Sequence, residues 1–312
     1  MAPRSHARVG IEVGAAAASL AAGLIQHETG IAMSRRRVGR LFAASAMAAL
    51  ATAVPMRASV AQTVPFDAQH RAWDALLRAH VAWDAQGVAT RVSYSGFARD
   101  RLALRAVLDG YATLDQPTYQ SMDRAHQLAF LINLYNAATI ELILTRYPDL
   151  KSIRDLGSVV RSPWKRRFIT LFGEQMHLDD IEHRLIRQPG VFDEPRIHFV
   201  VNCASVGCPA LRPEAIVADR LEAQLEDSTQ RFLRDTSRNR FNREENRLEI
   251  SRLFDWYRGD FERGWRGTAS REQFFARYAS SLARATEDRA RIESTRVRLT
   301  FLDYDWSLNN RL

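Results

Sequence analysis

One segment in the middle of the chain is apolar on almost every side. Asp123 opens it, and hydrophobic residues then continue from Arg124 to Tyr147 at more positions than one helix face would need. A helix that is hydrophobic all round has to be buried inside a protein. The sequence therefore predicts a central buried helix over residues 124–147, against which the rest of the chain must pack.

The other predicted elements are helices interspersed with short strands. Each is indicated by helical spacing of apolar residues or by the alternation typical of a strand. The predicted helices cover residues 70–85, 99–111, 178–188, 214–234 and 271–284, with a further one after Ser251. The predicted strands are a hairpin over residues 168–177 and single strands over 197–201, 247–250 and 297–301. Short strands among longer helices predict an α+β fold with a single domain and a small mixed or antiparallel sheet.

The N-terminal region has the composition of a secretory signal. From Met33, a cluster of arginines precedes an apolar stretch over residues 41–54, and small residues stand just before Gln62. A basic start, a short apolar stretch and small residues at a cleavage point are the three parts of such a signal. We expect translation from Met33 and cleavage after Ala61, so that residues 62–312 form a globular domain in the periplasm or outside the cell. The paired arginines resemble a twin-arginine signal, and an uncleaved membrane anchor is the alternative.

The positive charge of the chain is concentrated in this leader. The whole chain carries a formal net charge of +8, and residues 1–61 hold seven arginines against two glutamates. That leaves only +3 for residues 62–312, where basic residues are interleaved with acidic ones. No basic stripe carries aromatic residues between its charges, as a nucleic-acid surface would. The sequence therefore predicts no nucleic-acid partner.

The chain has two cysteines, Cys203 and Cys208, in one loop of small residues. In an oxidising compartment two cysteines this close can form a disulfide, which is one interpretation. A zinc site would need further soft ligands nearby, and none is present. The other interpretation is a thiol nucleophile at Cys203, with backbone N–H groups of residues 204–207 forming an oxyanion hole.

A thiol nucleophile needs an imidazole that accepts its proton. His198 precedes Cys203 by five residues, and on the predicted strand the two would be roughly 16 Å apart. We therefore expect His183 to be the base, with His198 as the alternative. Glu182 falls in the middle of the apolar face of the same predicted helix, so its carboxylate must either be paired or belong to a catalytic array.

Several polar residues elsewhere have both a structural and a functional interpretation. Asn133 and Asn136 are neighbours on the surface of the central helix. They would either hydrogen bond to buried backbone, or orient a histidine or a substrate amide. Near the C-terminus, Tyr304-Asp305-Trp306-Ser307 combines a carboxylate with large aromatic side chains, which favours a packed terminus over a site.

Five stretches, in order along the chain, together resemble one known family, the domain-of-unknown-function family 547. The resemblance extends from about Ala72 to Asn309. The stretches are Phe130-Leu131-Ile132-Asn133-Leu134-Tyr135-Asn136-Ala137, Leu178-Asp179-Asp180-Ile181-Glu182-His183, Ile197-His198-Phe199-Val200-Val201-Asn202-Cys203-Ala204-Ser205 with Gly207-Cys208-Pro209, Phe254-Asp255-Trp256-Tyr257 with Asp260-Phe261, and Tyr304-Asp305-Trp306-Ser307-Leu308-Asn309.

The resemblance implies a fold and an activity. The family has been associated with papain-like or transglutaminase-like cysteine hydrolases, which implies a papain-like fold. By position, Cys203 matches the family's cysteine, and Glu182 and His183 match its Glu-His pair. Some relatives have Ser in place of Cys208, which argues against the disulfide. Arg184 departs from the pattern, because relatives often have a small residue there.

We therefore expect an exported cysteine hydrolase or acyltransferase that acts on a peptide or peptide-like substrate at a peptide or isopeptide amide bond. Cys203 would attack, His183 would act as base and then as acid, and Glu182 would orient the imidazole. Asn133 and Asn136 would contact the substrate, and neither a metal nor a cofactor is expected. The alternative is a non-catalytic binding or scaffolding domain of the cell envelope. The sequence leaves the substrate and the oligomeric state open.

Overall fold

The computed structural model describes residues 66–158 and 162–311. The expected signal segment and its cleavage point at Ala61 lie outside these described residues.

Helices dominate the described part of the chain. The α-helices are α1 Arg71–His80, α2 Tyr94–Arg99, α3 Arg101–Ala112, α4 Gln116–Ser121, α5 Arg124–Leu144, α6 Leu221–Arg234, α7 Leu253–Trp256, α8 Arg258–Phe261, α9 Arg271–Arg277, α10 Ala279–Leu282 and α11 Thr286–Glu293. Short 3-10 helices cover Ile153–Leu156, Pro163–Lys165, Pro195–Phe199, Ala218–Arg220 and Trp265–Gly267, and a π-helix covers Asp180–Ile186.

The strands of the described residues form three small sheets. They are β1 Val81–Trp83, β2 Thr90–Val92, β3 Ile169–Leu171, β4 Glu174–Met176, β5 Arg240–Asn242, β6 Arg247–Ile250 and β7 Arg298–Phe301. β1 pairs with β2 and β3 with β4, both antiparallel. In the third sheet β6 lies between β5, which is antiparallel to it, and β7, which is parallel. Small sheets among many helices confirm the α+β class.

The predicted central helix is α5. The Asp123 side chain accepts a hydrogen bond from the His126 amide and so caps the first turn. Every residue from Leu128 to Leu144 is buried. This helix alone among the described residues is long and apolar enough to cross a membrane, but most of it is covered by the rest of the domain.

Two hydrophobic clusters make up the core. The first surrounds α5 and takes in α1, α3 and the β3–β4 hairpin. The second is rich in phenylalanine and joins Phe199 to α6, β6 and the helices that follow β6. Phe199 therefore ties the segment that leads to Cys203 into the C-terminal part of the core.

The predicted strand over residues 197–201 is wrong. Residues Pro195–Phe199 form a 3-10 helix instead. Proline lacks an N–H and has a fixed φ, which suits the first turn of a helix, and the Glu194 side chain accepts a hydrogen bond from the Arg196 amide. An apolar run of five residues is too short for its periodicity to distinguish a strand from a short helix.

Other predicted elements differ at their ends. The first helix stops at His80, because Val81–Trp83 pairs with Thr90–Val92. The hairpin over residues 168–177 and the strands at 247–250 and 297–301 are confirmed within one residue at each end. The helix predicted at 271–284 is interrupted at Tyr278.

Candidate active site

The segment before Cys203 is held by the central helix. The Asn136 side chain donates to the Val200 carbonyl at 2.9 Å and accepts from the Asn202 amide at 2.9 Å. The Asn202 side chain in turn accepts from the Ala204 amide at 2.9 Å. Ala204 has φ 64°, a left-handed conformation that a residue with a Cβ adopts only when its surroundings impose it. These bonds set the direction of the chain at Cys203.

The C-terminal segment covers the other side of this loop. The amides of Val206 and Gly207 donate to the carbonyls of Ser307 and Asp305, each at 2.8 Å. A Cβ at Gly207 would lie 3.0 Å from the Asp305 backbone, a tight contact, so glycine favours this close approach. The loop and the C-terminal segment therefore act as one unit, which brings Tyr304 to Cys203.

The Cys203 sulfur is surrounded by polar hydrogens. It lies 3.1 Å from the Ser205 hydroxyl and 3.2 Å from the Tyr304 hydroxyl. A hydrogen bond from the Cys208 thiol, supported by those from Ser205 and Tyr304, lowers the pKa of Cys203 to about 7 although burial acts against this. A large part of Cys203 is therefore thiolate at neutral pH.

Cys208 is a free thiol beside Cys203, and the two are not joined in a disulfide. The Cys203 amide donates to the Cys208 sulfur at 2.9 Å. Burial first, and then the neighbouring Cys203, raise the pKa of Cys208 well above its ordinary value. Cys208 therefore remains a protonated thiol, and its S–H group can donate a hydrogen bond to the Cys203 thiolate.

Cys203 opens into a cavity of about 190 Å3 that is rich in aromatic side chains. The cavity is lined by Tyr135, Trp164, Asp179, Glu182, His183, His198, Val201, Cys203, Cys208, Pro209, Leu253, Trp256, Tyr257, Tyr304 and Trp306. Three residues singled out from the sequence, Cys203, His183 and Glu182, thus lie along one cavity.

His183 stands at the open side of this cavity, with 43% of its side chain exposed. Its Nε2 is 3.8 Å from Asp179 and its Nδ1 is 3.9 Å from Glu182, distances that are too long for hydrogen bonds. The Arg187 guanidinium donates to Nδ1 instead. Glu182 therefore lies beside the imidazole without hydrogen bonding to it.

His198 also lines the cavity. The expected separation from Cys203 along a strand does not apply, since residues 195–199 turn as a 3-10 helix. His198 is buried, stacks on Tyr257 at 3.9 Å between ring centroids, and bonds through Nε2 to Asp260 at 2.7 Å. Burial lowers the pKa of His198, so its ring is neutral near pH 7. Burial alone would raise the pKa of Asp260, but bonds from His198 and Arg187 lower it far below its ordinary value.

Among the described residues, no histidine hydrogen bonds to the Cys203 sulfur. The thiol and the imidazoles share the cavity without an ion pair between them. In catalysis an imidazole would therefore have to approach the sulfur or the substrate, as often happens when a site closes on its ligand.

The two asparagines of α5 are occupied by backbone groups. Asn133 donates to the Ile216 carbonyl at 2.7 Å and accepts from the Ile216 amide at 3.1 Å, while Asn136 holds residues 200 and 202. Neither is among the residues that line the cavity. In the structure both asparagine side chains hydrogen bond to buried backbone groups, which was one of the two roles considered for them.

The loop amides are also largely occupied. Those of Ala204, Val206 and Gly207 already donate to other groups of the protein. The expected oxyanion hole from residues 204–207 is therefore wrong for these three amides. The Tyr304 hydroxyl, whose pKa burial raises well above 10, remains protonated and is a donor beside the sulfur.

Sequence reasoning missed Tyr304 and Trp306 as cavity residues and Asp260 as the partner of His198. Tyr304 and Trp306 stood in a motif that was interpreted as a packed terminus. The sequence did show polar and aromatic residues side by side in this motif. Their place beside Cys203 becomes visible only in the structure, where the C-terminal segment hydrogen bonds to the Cys203 loop.

A comparison with protein families gives one match. The model described as "Protein of unknown function, DUF547" matches residues 119–233. This part of the chain is therefore similar to the DUF547 family, and it contains α5, Glu182, His183 and Cys203. A search of curated proteins and a search of solved structures each found no match.

Proposed function

We propose that the chain is an exported cysteine hydrolase or acyltransferase with a papain-like arrangement of roles, acting on peptide or isopeptide amide bonds. The observation that carries the proposal is the Cys203 thiol, with a pKa lowered to about 7, at the wall of an aromatic cavity that also holds imidazole and carboxylate groups. Nucleophilic cysteines are recognised by this combination of a lowered pKa and access to a ligand.

In the first step the Cys203 thiolate attacks the amide carbonyl carbon and forms a C–S bond. The carbonyl electron pair moves to oxygen, and the Tyr304 hydroxyl is the nearest donor that can stabilise this negative charge. Before this attack, the Cys203 thiol gives its proton to His183, which lines the same cavity.

In the second step the C–N bond breaks. His183 gives its proton to the leaving nitrogen, and a thioester remains on Cys203. Water, or an acceptor amine in acyl transfer, then attacks the thioester carbonyl and gives a proton to His183. The C–S bond breaks, and the thiolate is restored.

His183 suits this proton transfer better than His198. The buried His198 has a lowered pKa and is fixed between Asp260 and Tyr257, so it does not readily carry a second proton. His183 has only the Arg187 contact to give up, and Arg187 keeps a separate bond to Asp260 at 2.6 Å.

Replacement of the nucleophile tests the proposal. A panel of peptide and isopeptide amides should be hydrolysed by the parent protein and not by Cys203→Ala, since the thioester cannot form. Cys208→Ala should retain turnover but require a higher pH, because loss of the Cys208 hydrogen bond raises the pKa of the Cys203 nucleophile. Hydrolysis that survives in Cys203→Ala would overturn the proposal.

A non-catalytic binding domain is the second candidate. It is favoured by the hydroxyl and thiol partners of the Cys203 sulfur, which include no imidazole among the described residues. A binding domain should take up a peptide in this cavity with the same affinity in the parent and in Cys203→Ala, and should release it unchanged.

A further inference from the structure

The Glu182 carboxylate lines the cavity and has one unsatisfied oxygen. Glu182 is only 4% exposed, and its Oε1 has no hydrogen-bond partner among the described residues. The Tyr257 hydroxyl hydrogen bonds to the Glu182 carboxylate, but a buried carboxylate oxygen without a donor or counter-charge remains unfavourable. Because Glu182 lines the cavity beside Cys203, a ligand can supply that partner once a small side-chain movement opens a path to the buried Oε1.

The two arginines that follow Glu182 in the sequence already form ion pairs with other carboxylates. Arg184 bonds to Asp180 at 2.9 Å, and Arg187 bonds to Asp260 at 2.6 Å. The remaining neighbour, His183, stays 3.9 Å away. None of these three groups neutralises the free oxygen.

A second carboxylate faces the same space. Asp179 lines the cavity, and burial raises its pKa, while the nearby His183 partly offsets this effect. Lys165 is a more distant positive neighbour of Asp179. Among the described residues, neither carboxylate has a bonded arginine or lysine, although the Arg187 guanidinium lies 4.5 Å from the centroid of the Tyr257 ring in the cavity wall.

The walls between these carboxylates and the solvent are aromatic. Trp256 stacks on Trp306 with 5.6 Å between ring centroids, and Tyr304 packs against both. The Trp306 ring already attracts one cation, since the Arg154 guanidinium lies 5.3 Å from its centroid. Aromatic faces next to carboxylates are the surroundings in which proteins bind ammonium groups.

We infer that this cavity binds a primary ammonium group, with Glu182 as the charged partner and the tryptophan faces as walls. This inference deepens the proposed function and rests on it for one point: the substrate would be an amide that carries a free amino group, on an α-carbon or a side chain, close to the bond that Cys203 attacks. Ammonium binding itself does not require Cys203 to react.

A pair of probes with the same alkyl chain, one with a charged and one with a neutral head group, tests the inference. n-Pentylammonium and 1-pentanol have the same chain, and their binding is measured by titration calorimetry or NMR in full-length Cys203→Ala, where no covalent step occurs. We expect pentylammonium to bind at least tenfold more tightly than pentanol. Equal affinities would overturn the inference.

Removal of the Glu182 charge provides the second arm. Glu182→Gln in the same background should weaken pentylammonium binding about tenfold and leave pentanol binding unchanged. Glu174→Gln, which removes an exposed carboxylate on β4, is the matched control and should bind both probes as the parent does. If Glu182→Gln does not fold, Asp179→Asn serves instead, with a loss of at least threefold expected.

An unchanged pentylammonium affinity in the folded carboxylate variant would contradict the inference. Its failure is distinct from a failure of the proposed function. If the protein binds ammonium selectively but its thiol does not react, only the catalytic proposal fails. If the thiol is active but ammonium binding is not selective, only the ammonium inference fails.

Discussion

At the scale of single residues, the site depends on how each polar group is partnered. Cys203 is surrounded by donors, which stabilise its thiolate, whereas Cys208 keeps its proton because it is buried beside that charge. The two histidines also differ in their surroundings. His198 is buried and hydrogen bonds to the Asp260 carboxylate, whereas His183 is partly exposed and lies near the carboxylates of Asp179 and Glu182. In the proposed mechanism, these differences assign the attack to Cys203 and the proton transfer to His183.

The two histidines should respond differently to replacement. His183→Asn removes the proton carrier, and we expect kcat/KM to fall by about 10²- to 10⁴-fold. His198→Asn deprives buried Asp260 of a hydrogen bond, so we expect mainly a loss of stability, on the order of 1–3 kcal/mol. Steady-state kinetics and urea unfolding of both variants check this. A larger kinetic loss in folded His198→Asn would transfer the proton-carrying role to that residue.

At the scale of elements, local signals predicted the central helix and the hairpin, whereas the helix predicted from residue 214 begins at Leu221 and residues 180–186 form a π-helix. The all-round apolar pattern of α5 and the alternation at residues 168–177 are periodic, and periodicity follows from the element itself. The segment at Pro195–Phe199 was assigned wrongly because its shape depends on Glu194 and on packing by Phe199. Sequence chemistry predicted Cys203, Glu182 and His183, which line the cavity, whereas Tyr304 reaches the cavity and Asp260 reaches His198 only through long-range packing.

The two asparagines of α5 make a matched pair that tests how this helix supports the site. Asn136→Leu breaks the bonds to Val200 and Asn202, and Asn133→Leu breaks those to Ile216. Each change leaves two buried backbone groups unpaired and should cost about 2–5 kcal/mol in urea unfolding. Only Asn136→Leu should also alter the alkylation rate of Cys203, because only Asn136 holds the segment that leads to it. Equal alkylation in the two variants would show that α5 does not position the thiol.

At the scale of the whole molecule, distant parts of the chain meet at the Cys203 loop. The Asn309 side chain accepts from the Tyr94 hydroxyl at 2.7 Å, while the Asn309 amide donates to the Ala204 carbonyl at 3.1 Å. The DUF547 match ends at residue 233, yet Trp256, Tyr304 and Trp306 beyond it form part of the cavity wall. The site is therefore a property of the whole described domain.

Stability of the domain should fall in mild acid. His70 is buried, and this burial lowers its pKa to about 4, although nearby Asp67 acts in the opposite direction. Because the folded pKa is below the unfolded value of 6.5, the unfolded chain binds the proton first. Stability is then lost as pH falls from about 6.5 towards 4, by roughly 3 kcal/mol for this group.

Urea unfolding at pH 7.5 and 4.5 measures this dependence. His70→Asn should lose less stability between the two pH values than the parent, because asparagine does not titrate. Asparagine also tolerates the left-handed conformation at this position, where φ is 52°. An identical pH dependence in the variant would contradict the assignment to His70.

The rate at which iodoacetamide alkylates each cysteine, followed by mass spectrometry from pH 5 to 10, tests the central claim most directly. The structure predicts that Cys203 reacts with a midpoint near pH 7, while Cys208 stays unmodified across the neutral range. A midpoint for Cys203 at or above the ordinary cysteine pKa of about 8.5 would contradict the account, as would a Cys203 that does not react.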